Sequence, residues 1–131
     1  MVPFSAGQVQ AGFAEIKLHD DKGDLELWLS KDSAGEQPMD LPLNTSVSVT
    51  FPKMDYKVVK LKIRNAEKNE DEDGNGTIRN GNTNYFIFPG DSGDDASFLI
   101  GKDFVTDAVI SFNVGSNIFS TQSFKLSPHT H

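Results

Sequence analysis

Phe13-Ala14-Glu15-Ile16-Lys17-Leu18-His19-Asp20-Asp21-Lys22-Gly23-Asp24-Leu25-Glu26-Leu27-Trp28-Leu29-Ser30 decides the fold class. On the first limb Ala14, Ile16 and Leu18 alternate with Glu15 and Lys17; on the second, Leu25, Leu27 and Leu29 alternate with Glu26, Trp28 and Ser30. A period of two belongs to half-buried strands, whereas an amphipathic helix spaces its apolar residues three and four apart. His19-Asp20-Asp21-Lys22-Gly23 has the composition of a hairpin loop.

Outward from this hairpin the same period recurs. Val47, Val49 and Phe51 alternate within 46–51, and Val59, Leu61 and Ile63 within 57–64. Asn84–Phe88 and Ser97–Ile100 are short aromatic and aliphatic runs, Ala108–Val114 alternates again, and Gly115-Ser116 introduces a last strand over 117–126. About eight strands with no amphipathic helix between them predict an all-β fold. The one polar face per strand favours an antiparallel β-sandwich, immunoglobulin-like or of related Greek-key topology, as a single domain over 12–126. Residues 1–11 and 127–131 are expected to be flexible tails.

The chain has 131 residues, enough for one domain with a real core. Its net charge of -7 makes nucleic acid a poor partner and cations better ones. The excess is concentrated: residues 66–76 hold five acids and one base. With no Cys, disulfide scaffolds, thiolate metal sites and cysteine nucleophiles are excluded together. The first thirteen residues have neither a basic lead nor a long apolar core, so they read as neither signal peptide nor membrane helix; an exported chain stripped of its signal reads the same.

Asp71-Glu72-Asp73-Gly74-Asn75-Gly76-Thr77-Ile78 matches the first half of a calcium loop. Asp71, Asp73 and Asn75 fall at ligand positions 1, 3 and 5, Gly76 at 6, and Thr77 offers its carbonyl at 7. Position 12 is Asn82 rather than a bidentate Glu, which argues against a full EF-hand. The alternative is a solvated connection across 67–82, with Asn75-Gly76 and Asn80-Gly81 as turns. A second candidate set is His19 with Asp20 and Asp21, whose imidazole and carboxylates suit zinc, copper or nickel. His129 and His131 join it only if the fold makes them converge.

Other strings are set aside. Gly90-Asp91-Ser92-Gly93 resembles a serine-protease nucleophile segment, but Asp94 stands where a Gly belongs and the chain is too short for the double barrel. Glu15, Asp24 and Glu26 read as acids on solvated strand faces rather than a glycosidase pair. Trp28 and Tyr85 can stack a sugar, and Trp28 lies on the polar side of its strand.

Ala14–Asp21, Leu25–Leu29 and Pro38-Met39-Asp40-Leu41-Pro42-Leu43 together resemble small exported β-domain proteins of planctomycete-type bacteria, some of them encoded with heavy-metal efflux adaptors. The resemblance covers the first third to half of the chain. It implies a periplasmic or surface-anchored accessory domain with His19, Asp20 and Asp21 at the matching turn. The chain departs from it at Val2-Pro3-Phe4-Ser5-Ala6-Gly7, where such relatives often carry a His-rich, Gly-Gly-containing leader. The expected protein is a non-enzymatic accessory or binding domain, periplasmic or extracellular and monomeric, not inserted in a membrane, that takes a divalent cation such as calcium. An adhesive module for a glycan or protein partner is the alternative, and a hydrolase a distant third.

Overall fold

The two limbs of the opening stretch pair as read. In the computed structural model, which describes residues 2–19, 24–71, 74–89 and 105–129, Phe13 lies opposite Ser30 and Leu18 opposite Leu25. The strands in chain order are β1 (Val2–Ala6), β2 (Val9–His19), β3 (Leu25–Ser30), β4 (Leu41–Pro42), β5 (Val47–Phe51), β6 (Lys57–Leu61), β7 (Ile78–Arg79), β8 (Asn82–Thr83), β9 (Tyr85–Phe88), β10 (Thr106–Val114), β11 (Asn117–Thr121), β12 (Phe124–Leu126) and β13 (Pro128–His129). The run expected over Ser97–Ile100 lies outside the described residues.

The fold is all-β, and its architecture differs from the expected sandwich. One sheet runs β6-β5-β10-β11-β1-β2-β3-β9, and its two edge strands meet again where Lys62 N donates to Ile87 O (2.9 Å) and Ile87 N to Lys62 O (2.8 Å). The sheet curls into a nearly closed barrel rather than splitting into two packed layers. The long β10 helps to make this continuous: it pairs with β5, β11 and β12 along its length. Alternation along a strand cannot separate the two architectures, because barrel and sandwich both bury one face. A second small sheet, β4-β8-β7, lies outside the ring. Its β7–β8 turn uses the expected Asn80-Gly81 pair, both at positive φ.

The inward residues include those the alternation names, Ala14 and Leu18, then Leu25, Leu27 and Leu29, with Val47, Val49, Phe51, Ile110 and Phe112 from the other strands, and Phe86 joins them from the continuous apolar run of β9. The ends of the chain depart from the expectation. Residues 2–6 form β1, laddered to β2 on one side and β11 on the other, and Phe4 is only 1% exposed. Its ring meets Phe112 edge-on at 5.2 Å and Phe119 at 6.1 Å. At the other end, β13 pairs in parallel with β2. A Phe at position 4 was the available signal that the lead-in has a place in the core.

Phe4 also explains a glycine. It pairs across the ladder with Gly12, and a Cβ there would stand 2.6 Å from the ring's Cζ and 2.6 Å from the Ser30 carbonyl oxygen. Gly12→Ala is therefore expected to cost about 1–3 kcal/mol, as overpacking does. Thermal unfolding checks this, with an unchanged Tm contradicting the close approach. Among the described residues no helix is long and apolar enough to cross a membrane.

Candidate functional site

β9 reads Tyr85-Phe86-Ile87-Phe88 and is buried along its whole length, so the sheet is covered on its outer side here as well as its inner side. The cover comes from the described chain between β6 and β9, residues 62–71 and 74–84, from which Arg64 and Asn69 reach Tyr85 of β9 and Asn84 reaches the Leu29 carbonyl of β3. Arg79 fastens it with a forked ion pair to Asp40, Nε at 3.0 Å and the terminal nitrogen at 2.7 Å, and reaches Asn84 Oδ1 at 2.7 Å. Asn84 in turn exchanges hydrogen bonds with the Leu29 backbone.

Under this roof lies a polar layer. Glu26, expected in solvent, is 3% exposed, and His19 is 5% exposed. His19 Nε2 is 2.6 Å from Glu26 Oε1, and the Tyr85 hydroxyl donates to Glu26 Oε2. Burial and then the Glu26 carboxylate push the Tyr85 phenol well above its usual range, against a smaller opposing pull from Arg64. Arg64 stands 3.4 Å from the phenol oxygen and donates its Nε to the Glu70 carbonyl at 2.9 Å.

Next to this set, Asn69 is completely buried. Its Oδ1 accepts the Arg64 backbone N–H at 2.6 Å, and its Nδ2 hydrogens are shared among Thr77 Oγ1 (2.9 Å), Thr83 Oγ1 (2.9 Å) and the Tyr85 carbonyl (3.0 Å). The Thr77 hydroxyl donates back to the Asn69 carbonyl. Among the described residues no buried side-chain nitrogen or oxygen lacks a partner. Chemically, the layer is a chain of matched polar groups in which Glu26 accepts from the Tyr85 phenol on one oxygen and meets the His19 imidazole through the other.

Of the oxygen-donor set, Asp71 and Asn75 come together. Asn75 N donates to Asp71 Oδ1 at 3.0 Å, Asp71 N to Asn75 O at 3.0 Å, and Gly74 N to Asp71 O at 3.1 Å. Gly74, not Gly76, takes the positive φ, at 80°. Glu70 and Gly76 bridge across the base of the loop, and Asn69 and Thr77 tie its two ends to the buried layer. The Thr77 side chain is thus directed into the layer, leaving its carbonyl as the group the calcium pattern invokes. Asp73 lies outside the described residues.

Of the nitrogen-donor set, His19 is placed at the end of β2, its N–H closing onto the Asp24 carbonyl at 2.9 Å, while Asp20 and Asp21 lie outside the described residues. No group of three or more His, Asp or Glu side chains able to hold a metal gathers among the described residues. Trp28 packs against Tyr85 with ring centroids 5.1 Å apart, and the Lys17 ammonium stands 5.2 Å from its ring centroid. Ser92 also lies outside the described residues. Elsewhere, an open concavity of about 460 Å³ lined by Pro42, Ser48, Lys60 and Asn113, among others, offers Lys60 as its one titratable side chain.

The residues that the sequence did not single out are Asn69 and Arg64, together with the role of Glu26 and Tyr85 as one cluster. No known protein family, curated protein or solved structure is found to match the chain.

Proposed function

We propose that the chain is a non-enzymatic, exported all-β binding domain that holds a calcium ion in the loop Asp71–Thr77. The observation that carries this reading is the anchoring of that loop. Its ends, Asn69 and Thr77, are tied into a fully hydrogen-bonded buried layer, and the Asp71 carboxylate is folded back over the turn toward Asn75. A loop whose ends are fixed in this way loses less conformational entropy when its oxygens close on an ion, and calcium takes six to eight such oxygens from carboxylates, carbonyls and water.

Calcium at a hundredfold excess over its Kd is expected to stabilise the fold by about 2.7 kcal/mol and to raise Tm by several degrees. Amide shifts should concentrate in residues 71–82. Asp71→Ala combined with Asp73→Ala removes both effects and leaves the calcium-free fold within about 1 kcal/mol, since the loop contributes little to the core. Saturating calcium that moves neither Tm nor those amides overturns the reading. An adhesive or glycan-binding role would call on the face of Trp28, which is already packed with Tyr85 and Lys17.

A further inference from the structure

Val47, Val49, Val59, Leu61, Ile110 and Phe112 are buried in the barrel, so the residues between them turn outward: Ser48 on β5, Lys60 on β6 and Ser111 on β10. The ladders set these three in one row, Lys60 opposite Ser48 and Ser48 opposite Ser111. Beside the row the connection from β4 to β5 bends, closed by the Thr45 N–H donating to the Pro42 carbonyl at 3.0 Å. Row and connection together wall the concavity of about 460 Å³, to which Thr45, Ser46 and Asn113 also contribute. Its size falls within the about 300–1,000 Å³ usual for small-molecule sites.

The lining gives this recess a chemical preference. Among the described residues no acid lines it, although acids outnumber bases 19 to 12 in the chain. Its one charge is the Lys60 ammonium, whose partner among the described residues is the Ser48 hydroxyl at 2.6 Å. Lys53 and Lys125, by contrast, both pair with Asp107, and Lys17 stands over Trp28. An ammonium has three N–H donors, so Lys60 keeps two for a ligand. The hydroxyls of Thr45, Ser46 and Ser111 and the Asn113 amide meet no protein partner among the described residues, and such groups both donate and accept. A hydroxylated ligand satisfies them, whereas an apolar one would leave them unpaired.

We propose that this recess binds a small sugar acid, its carboxylate on Lys60 and its hydroxyls on Ser111, Ser46, Thr45 and Asn113. Recognition here rests on hydroxyls and one charge rather than on the ring of Trp28. The net charge of -7 repels a long polyanion, whereas a single carboxylate set beside the ammonium meets the local positive charge. A bare oxyanion would satisfy Lys60 and leave most of the recess to water. The site shares no residue with the Asp71–Thr77 loop and draws an anion where that loop draws a cation, so neither depends on the other.

The test is a titration of the full chain with sodium D-glucuronate in the presence of a chelator, read by amide shifts and by Tm. Saturable shifts should gather at residues 44–48, 60 and 111–115. D-glucose, which has the ring without the carboxylate, should bind at least tenfold more weakly, and so should acetate, which has the carboxylate without the ring. Lys60→Gln should weaken glucuronate binding about tenfold or more, as the loss of a charge-assisted hydrogen bond does, and leave the ligand-free Tm unchanged because the side chain is exposed. Ser111→Ala should weaken it about threefold. The proposal is overturned if about 100 mM glucuronate, a hundredfold above a millimolar Kd, moves none of these amides. It is equally overturned if glucose, acetate or inorganic phosphate binds as tightly as glucuronate, or if Lys60→Gln leaves the affinity within twofold.

Discussion

Asn69→Ala is expected to destabilise the protein by about 3–5 kcal/mol, a large share of the 5–15 kcal/mol typical of a whole domain. The side chain is completely buried and serves both as the acceptor for the Arg64 N–H and as the donor to Thr77, Thr83 and the Tyr85 carbonyl. Truncation leaves several of these groups in a dry site without a partner, each costing about 1–3 kcal/mol less whatever the two threonines recover from each other. Position 69 also has a positive φ of 35°, which Asn tolerates better than Ala. Asn69→Asp separates the contributions, because it keeps the acceptor and loses the donor. Urea unfolding monitored at Trp28 checks the prediction: the midpoint should fall while the slope is unchanged. A loss below 1 kcal/mol would mean that the roof over the barrel is not held by this residue.

The second large effect is a loss of stability in alkali. The Tyr85 phenol is raised above its ordinary value of about 10 by burial and by the adjoining Glu26 carboxylate. The folded state therefore holds this proton more tightly than the unfolded chain does. The stabilisation is fully present below about pH 10 and is lost as pH rises toward the folded-state value, since the unfolded chain gives up the proton first. Absorbance titration should show one of the two tyrosines ionising only as the barrel unfolds. Tyr85→Phe should remove that alkaline step, at a cost near neutrality of about 1–3 kcal/mol for the abandoned Glu26 oxygen. An alkaline limb that is the same in Tyr85→Phe would assign the transition to other groups.

Whereas β1 fell in a stretch read as a flexible tail, strands β2, β3, β5, β6 and β10 were legible in the sequence to within a few residues, because each alternates apolar residues with a period of two. Closure was not, since whether β6 meets β9 depends on curl and on which strands are neighbours, and alternation encodes neither. The misplacement of Glu26 has a more specific cause. Alternation puts Glu26 opposite the core, and solvent is the default occupant of that side. Yet Tyr85-Phe86-Ile87-Phe88 is apolar at four consecutive positions, the mark of a strand covered on both faces, and β9 pairs directly with β3. A cover over one extends over its neighbour. The acidic segment was legible as a loop, but Asn69 and Thr77 at its ends looked like ordinary loop polars, since their burial arises only when the roof docks.

The seam between β6 and β9 has a consequence for motion. Every other junction in the ring is a ladder of at least three paired residues, whereas this one is the single Lys62–Ile87 bridge. Parting β6 from β9 breaks two backbone hydrogen bonds, fewer than at any other junction of the ring, so local opening is expected to begin along this line. The roof is the stretch of chain that joins the two sides of that seam. An opening there would also strain the bonds by which Arg64 and Asn69 reach Tyr85, so that the side chains of the roof act as a second latch across the seam.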